Sequence, residues 1–151
     1  MPESSTKNIL IISREQRLVE ALLSIILGAG YHAFVAHDID TISSALREQD
    51  PDLIVLDMSI TDVGGFPVLE EIRMKYDLKF ANTPVIIASE GGDLVEIGRA
   101  LKLGIKDYFI KSTFIPQQIL LKIKKHTGDN SVVAPQAKPF VPISSISDDS
   151  K

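Results

Sequence analysis

Three short runs of uninterrupted apolar residues constrain this chain most: Ile9 to Ile12, Leu53 to Leu56 and Val85 to Ala88. A half-solvated strand alternates apolar and polar residues, whereas a strand covered on both faces reads as a continuous apolar run. Longer stretches of helical period separate the runs. Leu18, Leu22, Ile25 and Ile26 recur at helical spacing until Gly28 and Gly30. Asp38 can cap a helix that carries Ile42, Ala45 and Leu46 to the breaker "QDPD". Residues 65 to 76 predict a helix with Phe66, Leu69, Ile72 and Arg73. Asp93 caps a fourth, through Leu94, Ile97, Leu101 and Leu103, ended by Gly104. Ile115, Ile119 and Ile123 mark the last, to about Thr127. Weaker strand signals lie at Tyr31 to Ala36 and Tyr108 to Ile110. Five strand–helix units in strict alternation predict an α/β protein with a parallel sheet and right-handed crossovers.

The chain of 151 residues has room for one such domain, placed at residues 7–127. Residues 1–6 are polar and read as a disordered N-terminus. Residues 128–151 hold Pro135, Pro139, Pro142 and five serines, and read as a flexible tail. A docking peptide around Phe140, Val141 and Ile143 is the alternative for that tail. With no cysteine, a disulfide framework and a thiolate metal site are excluded. A net charge of −4, with acids and bases mixed along the chain, predicts no direct contact with nucleic acid or a membrane surface. No run approaches the ~18 apolar residues of a membrane span, and the expected location is the cytoplasm.

The polar residues that end the apolar runs carry the chemistry. Ser13 follows the first strand, Asp57 ends the third, Ser89 the fourth and Lys111 the fifth. In an open parallel sheet, ligands bind beyond the carboxyl ends of the strands, so these four residues are expected at one rim. A carboxylate there can act as a nucleophile, while a hydroxyl and an ammonium bind phosphoryl oxygens and neutralise developing charge.

In their order along the chain, "DLIVLDMSITDVGGFPVLEEIR", "TPVIIASE" and "ALKLGIKDYFIKS" resemble the receiver domain of two-component response regulators over residues 7 to 127. The resemblance implies a doubly wound five-stranded parallel sheet of order 2-1-3-4-5, the flavodoxin-like receiver fold. It places Asp57 at the phosphoacceptor, Ser89 at the Ser/Thr switch, Lys111 at the phosphate-binding lysine and Tyr108 at the aromatic switch. It implies a signalling module rather than an enzyme. Its partners would be a sensor histidine kinase or phosphotransfer protein and an output protein.

Two positions depart from the family. Its first strand ends in two acids that help to hold magnesium, and here those positions are Ser13 and Arg14. Asp57 and the backbone at Ser59 remain as metal donors, so magnesium binding is expected to be weak or absent. Arg14 is expected to reach Asp57, directly or through one water, in the metal's place, and Glu15, which begins the first helix, to point elsewhere. The family's proline after the lysine is replaced by Ser112, which leaves open whether the Lys111–Ser112 peptide is cis. Outside the resemblance, His32, His37 and His126 read as structural, Gly64 and Gly65 as turn glycines, and "EGGD" (90–93) as a loop without a phosphate-binding pattern.

These readings predict a stand-alone receiver-like module that signals by protein contact. Its contact face would be helix four, strand five and helix five, with Arg99, Lys102, Lys106, Lys122 and Lys125 in or beside those segments, and a homodimer through the face is one arrangement. The alternatives are a pseudo-receiver that works without phosphorylation and a small doubly wound nucleotide- or flavin-binding enzyme. "SREQR" after the first strand lacks the phosphate loop that such an enzyme needs. A DNA-binding regulator would need a further domain that 24 residues cannot supply.

Overall fold

The computed structural model describes residues 6–74, 82–91 and 93–129. The elements are β1 (Asn8–Ile12), α1 (Gln16–Gly28), β2 (His32–Ala36), α2 (Ile39–Gln49), β3 (Leu53–Asp57), α3 (Phe66–Met74), β4 (Val85–Ser89), α4 (Leu94–Lys102), β5 (Asp107–Ile110) and α5 (Pro116–Thr127). All strand pairs are parallel, in the order β2-β1-β3-β4-β5. This is the doubly wound sheet that the sequence predicts.

Successive side chains of a strand leave opposite faces of the sheet, so each continuous apolar run feeds two cores. On one face, Ile9, Ile11, Leu53 and Val55 pack with Leu18, Leu22 and Ile26 of α1 and Ile119 and Ile123 of α5. On the other, Leu10, Ile12, Ile54 and Leu56 pack with Leu46 of α2 and Leu69 and Ile72 of α3. Each fully buried side chain of this kind stabilises the fold by ~1.5–3 kcal/mol. β3 and β4 are buried along their whole length, and β1 from Ile9 onward, whereas the edge strands β2 and β5 are partly exposed.

Local signals set the helix ends. Asp38 and Thr41 close a capping box at α2, and the Asp93 carboxylate accepts the Val95 and Glu96 N–H groups at α4. Pro116 opens α5, and Gly128 ends it with φ of 73°. The Arg73 guanidinium donates to the carbonyls of Thr83, Leu103 and Gly104, tying α3 to the start of β4 and to the α4–β5 turn.

Some boundaries differ from expectation. Tyr31 is buried ahead of β2 rather than within it, and its hydroxyl donates to Asp129 at the end of α5. β5 takes in Asp107, because strand pairing uses backbone groups and tolerates a polar side chain at an edge. α3 is described to Met74, and its expected last two residues, like the tail from residue 130 and its Phe140 region, lie outside the described residues.

Candidate functional site

Strand pairing positions the rim. Asp57, the last residue of β3, pairs with Ala88, and Ser89, the last residue of β4, pairs with Ile110. The chain past β5 is held in line by the Lys111 N–H, which donates to the Ser89 carbonyl. Ser13, Asp57 and Ser89 are all buried, at 2%, 2% and 0% exposure. Buried polar groups at a strand end need partners.

Asp57 has three. The Ser13 hydroxyl donates to its Oδ2 at 2.7 Å. The Ser59 N–H and the Lys111 ammonium donate to its Oδ1 at 2.9 and 3.0 Å. The backbone at Ser59, expected beside the carboxylate, lies there and gives its N–H to it. The loop that follows is drawn close. Gly64 has φ of +88°, and a Cβ on Gly65 would lie 2.8 Å from Met58 Sδ and 3.0 Å from Met58 Cα. Both turn glycines are therefore required, the first for its backbone conformation and the second for close approach.

The Lys111 ammonium also meets Glu15 Oε1 at 2.6 Å and Glu90 Oε1 at 3.7 Å. Its side chain is only 7% exposed. Burial works against its charge, but its hydrogen bonds to Glu15 and then Asp57 outweigh that, so its pKa stands above the ordinary lysine value. Glu15 was expected to point elsewhere. It precedes α1 as the N-cap residue, and its N–H donates to Ser13 Oγ. That turn folds the start of the helix back over the strand end and brings the Glu15 carboxylate to the lysine.

No direct hydrogen bond or ion pair joins Arg14 to Asp57. Arg14 is exposed, and the carboxylate it acts on is Asp38, whose pKa is lowered chiefly by hydrogen bonds from Thr41 and, to a smaller extent, by His37 and Arg14. Adjacent residues of an extended chain point to opposite sides, so with Ser13 turned onto Asp57 the next side chain leaves the site.

Ser89 lies at the same rim, but its hydroxyl donates to Glu96 Oε1 on α4 at 3.1 Å. Tyr108 is 37% exposed on β5. No peptide bond among the described residues is cis, which answers the question at Lys111–Ser112. Among the described residues no group of three or more His, Asp or Glu is arranged to hold a metal ion. Arg99 lies 4.0 Å over the Phe66 ring and pairs with Glu70, so it faces α3. Lys122 pairs with Asp107.

Glu15, Glu90 and Glu96 are the site neighbours that sequence reasoning missed. Glu15 and Glu96 project from the start of a helix, where reach depends on side-chain direction, and no spacing rule marks it.

A family model described as the response regulator receiver domain matches residues 9–124. The "Probable transcriptional regulator ycf27" of Cyanophora paradoxa is 30% identical over 125 residues, 81% of this chain and 48% of that protein. The DNA-binding response regulator MtrA of Mycobacterium tuberculosis is 25% identical over 128 residues, 85% of this chain and 54% of the relative. The chain thus spans about half the length of these curated relatives. Among solved structures, the N-terminal signal receiver domain of a two-component response regulator from Bacteroides fragilis superposes with a TM-score of 0.72 at 22% identity, covering 82% of this chain and 98% of that one. At that identity the likeness is one of fold.

Proposed function

We infer the function from one premise: this chain belongs to the response regulator receiver domain family. That family is a signalling domain of two-component systems, not an enzyme class. Within it, we read this chain as a receiver module in which Asp57 accepts a phosphoryl group and the output is protein contact. The observation that carries the reading is the Asp57 carboxylate, buried at the rim with the Lys111 ammonium 3.0 Å from its Oδ1. A carboxylate has about four acceptor positions. Ser13, Ser59 and Lys111 take three, and among the described residues nothing takes the second position on Oδ2, which serves for attack. In that step an Asp57 oxygen forms a bond to phosphorus while the donor's bond to phosphorus breaks, and the leaving group departs with the electron pair. Lys111 neutralises charge on the phosphoryl oxygens.

Magnesium does not fit the donor set. Magnesium takes oxygen ligands in near-octahedral geometry, usually one or two carboxylates with waters. Here the side chain after Ser13 is an outward-facing arginine, and the Glu15 carboxylate is already spent on the Lys111 ammonium beside Asp57. We therefore assign weak or absent magnesium binding, and no step depends on the ion.

The partners that suit this reading are a sensor histidine kinase or phosphotransfer protein and an output protein met through α4, β5 and α5, a face a second copy could also use. A cytoplasmic location suits both, and no described helix is long and apolar enough to cross a membrane. A second reading, contact without phosphorylation, is favoured by the same three hydrogen bonds, which hold Asp57 in a resting arrangement. Incubation with acetyl phosphate, with and without magnesium, followed by intact mass, separates the two. Labelling lost in Asp57→Asn and indifferent to magnesium supports the first, and no labelling at any donor concentration supports the second.

A further inference from the structure

The Ser89 hydroxyl is fully buried at the end of β4, yet it does not donate to Asp57, although Asp57 lies opposite the preceding residue, Ala88. Its acceptor is Glu96, at the third position of α4. In α2 the third residue, Thr41, reaches back to the N-cap N–H and closes a capping box. In α4 the N-cap Asp93 caps the helix alone, and the Glu96 carboxylate is turned onto the strand end.

We propose that Glu96 is a positioning residue that holds the Ser89 hydroxyl off Asp57, so that phosphoryl acceptance must first take that donor from it. The proposal rests on Asp57 being the phosphoacceptor. A serine hydroxyl has one proton and donates to one acceptor at a time. Before phosphoryl transfer the acceptor is a carboxylate, a strong competitor because charge-assisted hydrogen bonds exceed neutral ones. As the phosphoryl group arrives, its oxygens bring negative charge to the same rim, ~1.5–2 charges once transfer is complete. They draw the hydroxyl away and leave Glu96 half-buried, without its donor and facing a like charge. Both effects push the first turn of α4 outward. Leu94 and Val95, the exposed residues of that turn, move with it.

Labelling of the full chain by acetyl phosphate tests the latch: Asp57 gains the phosphoryl group, and acetate leaves with the electron pair. Glu96→Ala should label about threefold to tenfold faster than the parent, the effect of losing one competing hydrogen bond. Glu96→Gln, which keeps an acceptor but loses the charge, should fall between them and serves if the alanine variant folds poorly. In a Ser89→Ala background the Glu96 change should have no effect on rate, whereas a purely structural role would act in both backgrounds. Labelling of Glu96→Ala at or below the parent rate, or equal acceleration with and without Ser89, overturns the latch while leaving the phosphoacceptor reading intact. If no form is labelled, both fall together. Thermal melting then still reports the contact: Ser89→Ala and Glu96→Ala together should lower Tm no more than the larger single change, and full additivity would mean that the pair does not interact.

Discussion

At one end of β5 the Lys111 ammonium reaches Asp57 and Glu15; at the other, Asp107 takes Lys122 and His126. The chemical types are the same, and the surroundings differ. Lys111 and Asp57 are 7% and 2% exposed, and they join residues far apart in sequence. Lys122 and Asp107 are 30% and 22% exposed, and Lys122 and His126 are four apart on α5, so the cluster braces one strand against one helix. Burial makes the first pair expensive to break and places it beside the chemistry. The second is a brace that water can partly replace.

The largest effect should come from breaking the buried pair. Lys111→Met leaves the Asp57 carboxylate buried with two neutral donors, and should destabilise the fold by about 2–4 kcal/mol in urea unfolding. The raised Lys111 pKa sets the sign of the pH dependence. Its contribution is full below the unfolded value near 10.5 and is lost as pH rises through the higher folded value. The gap between parent and Lys111→Met should therefore stay constant through neutral pH and close in alkali. A gap under ~0.5 kcal/mol would place the pair with exposed ones.

Next comes the loop that shapes the buried end. Gly65→Ala puts a Cβ 2.8 Å from Met58 Sδ and 3.4 Å from the Asp57 carbonyl. Overpacking of this kind costs ~1–3 kcal/mol. Gly98, within α4, has open space around its position, and Gly98→Ala should stabilise by ~0.5–1 kcal/mol. Equal and small effects at the two glycines would show that the β3–α3 loop can relax away from Asp57.

Asp107→Asn should cost less than Lys111→Met, about 0.5–1.5 kcal/mol. Burial alone would raise the Asp107 pKa, but hydrogen bonds from Lys122, the Tyr108 N–H and His126 hold it below the ordinary value of 3.8. Its contribution is thus present above 3.8 and lost as pH falls from there through the lower folded value. The two ends of β5 should lose their ion pairs at opposite ends of the pH scale. Melting curves of both variants from acid to alkali would show it, and parallel profiles would remove the distinction.

The buried strands were legible because burial on both faces writes a continuous apolar run. The edge strands were less so: Tyr31 and Asp107 differ in strand membership from what their side chains suggest, since an edge is defined by backbone pairing. Ser13, Asp57, Ser89 and Lys111 were legible as polar residues that end apolar runs. Their partners were not. Glu15 is drawn in by the turn at Ser13, and Glu96 by the first turn of α4, and both depend on side-chain direction. Arg14 misled because it follows Ser13 in sequence, although neighbours on an extended chain face opposite ways.

The smallest effect should be that of Arg14→Ala. Its guanidinium is exposed and makes no ion pair to Asp57, and its influence on Asp38 is the last of several causes behind the hydrogen bonds from Thr41. An exposed cation of this kind contributes little and is screened by salt. Had Arg14 stood in for the metal, its removal would have freed an Asp57 oxygen and changed the rate of acetyl phosphate labelling. With Ser13, Ser59 and Lys111 as the carboxylate's partners, that route is closed. Arg14→Ala should therefore leave Tm within a few degrees of the parent and the labelling rate within a factor of about two, while Lys111→Met changes both. A labelling change in Arg14→Ala as large as that in Lys111→Met would mean that the arginine turns inward when phosphodonor binds, and that the buried pair does not act alone.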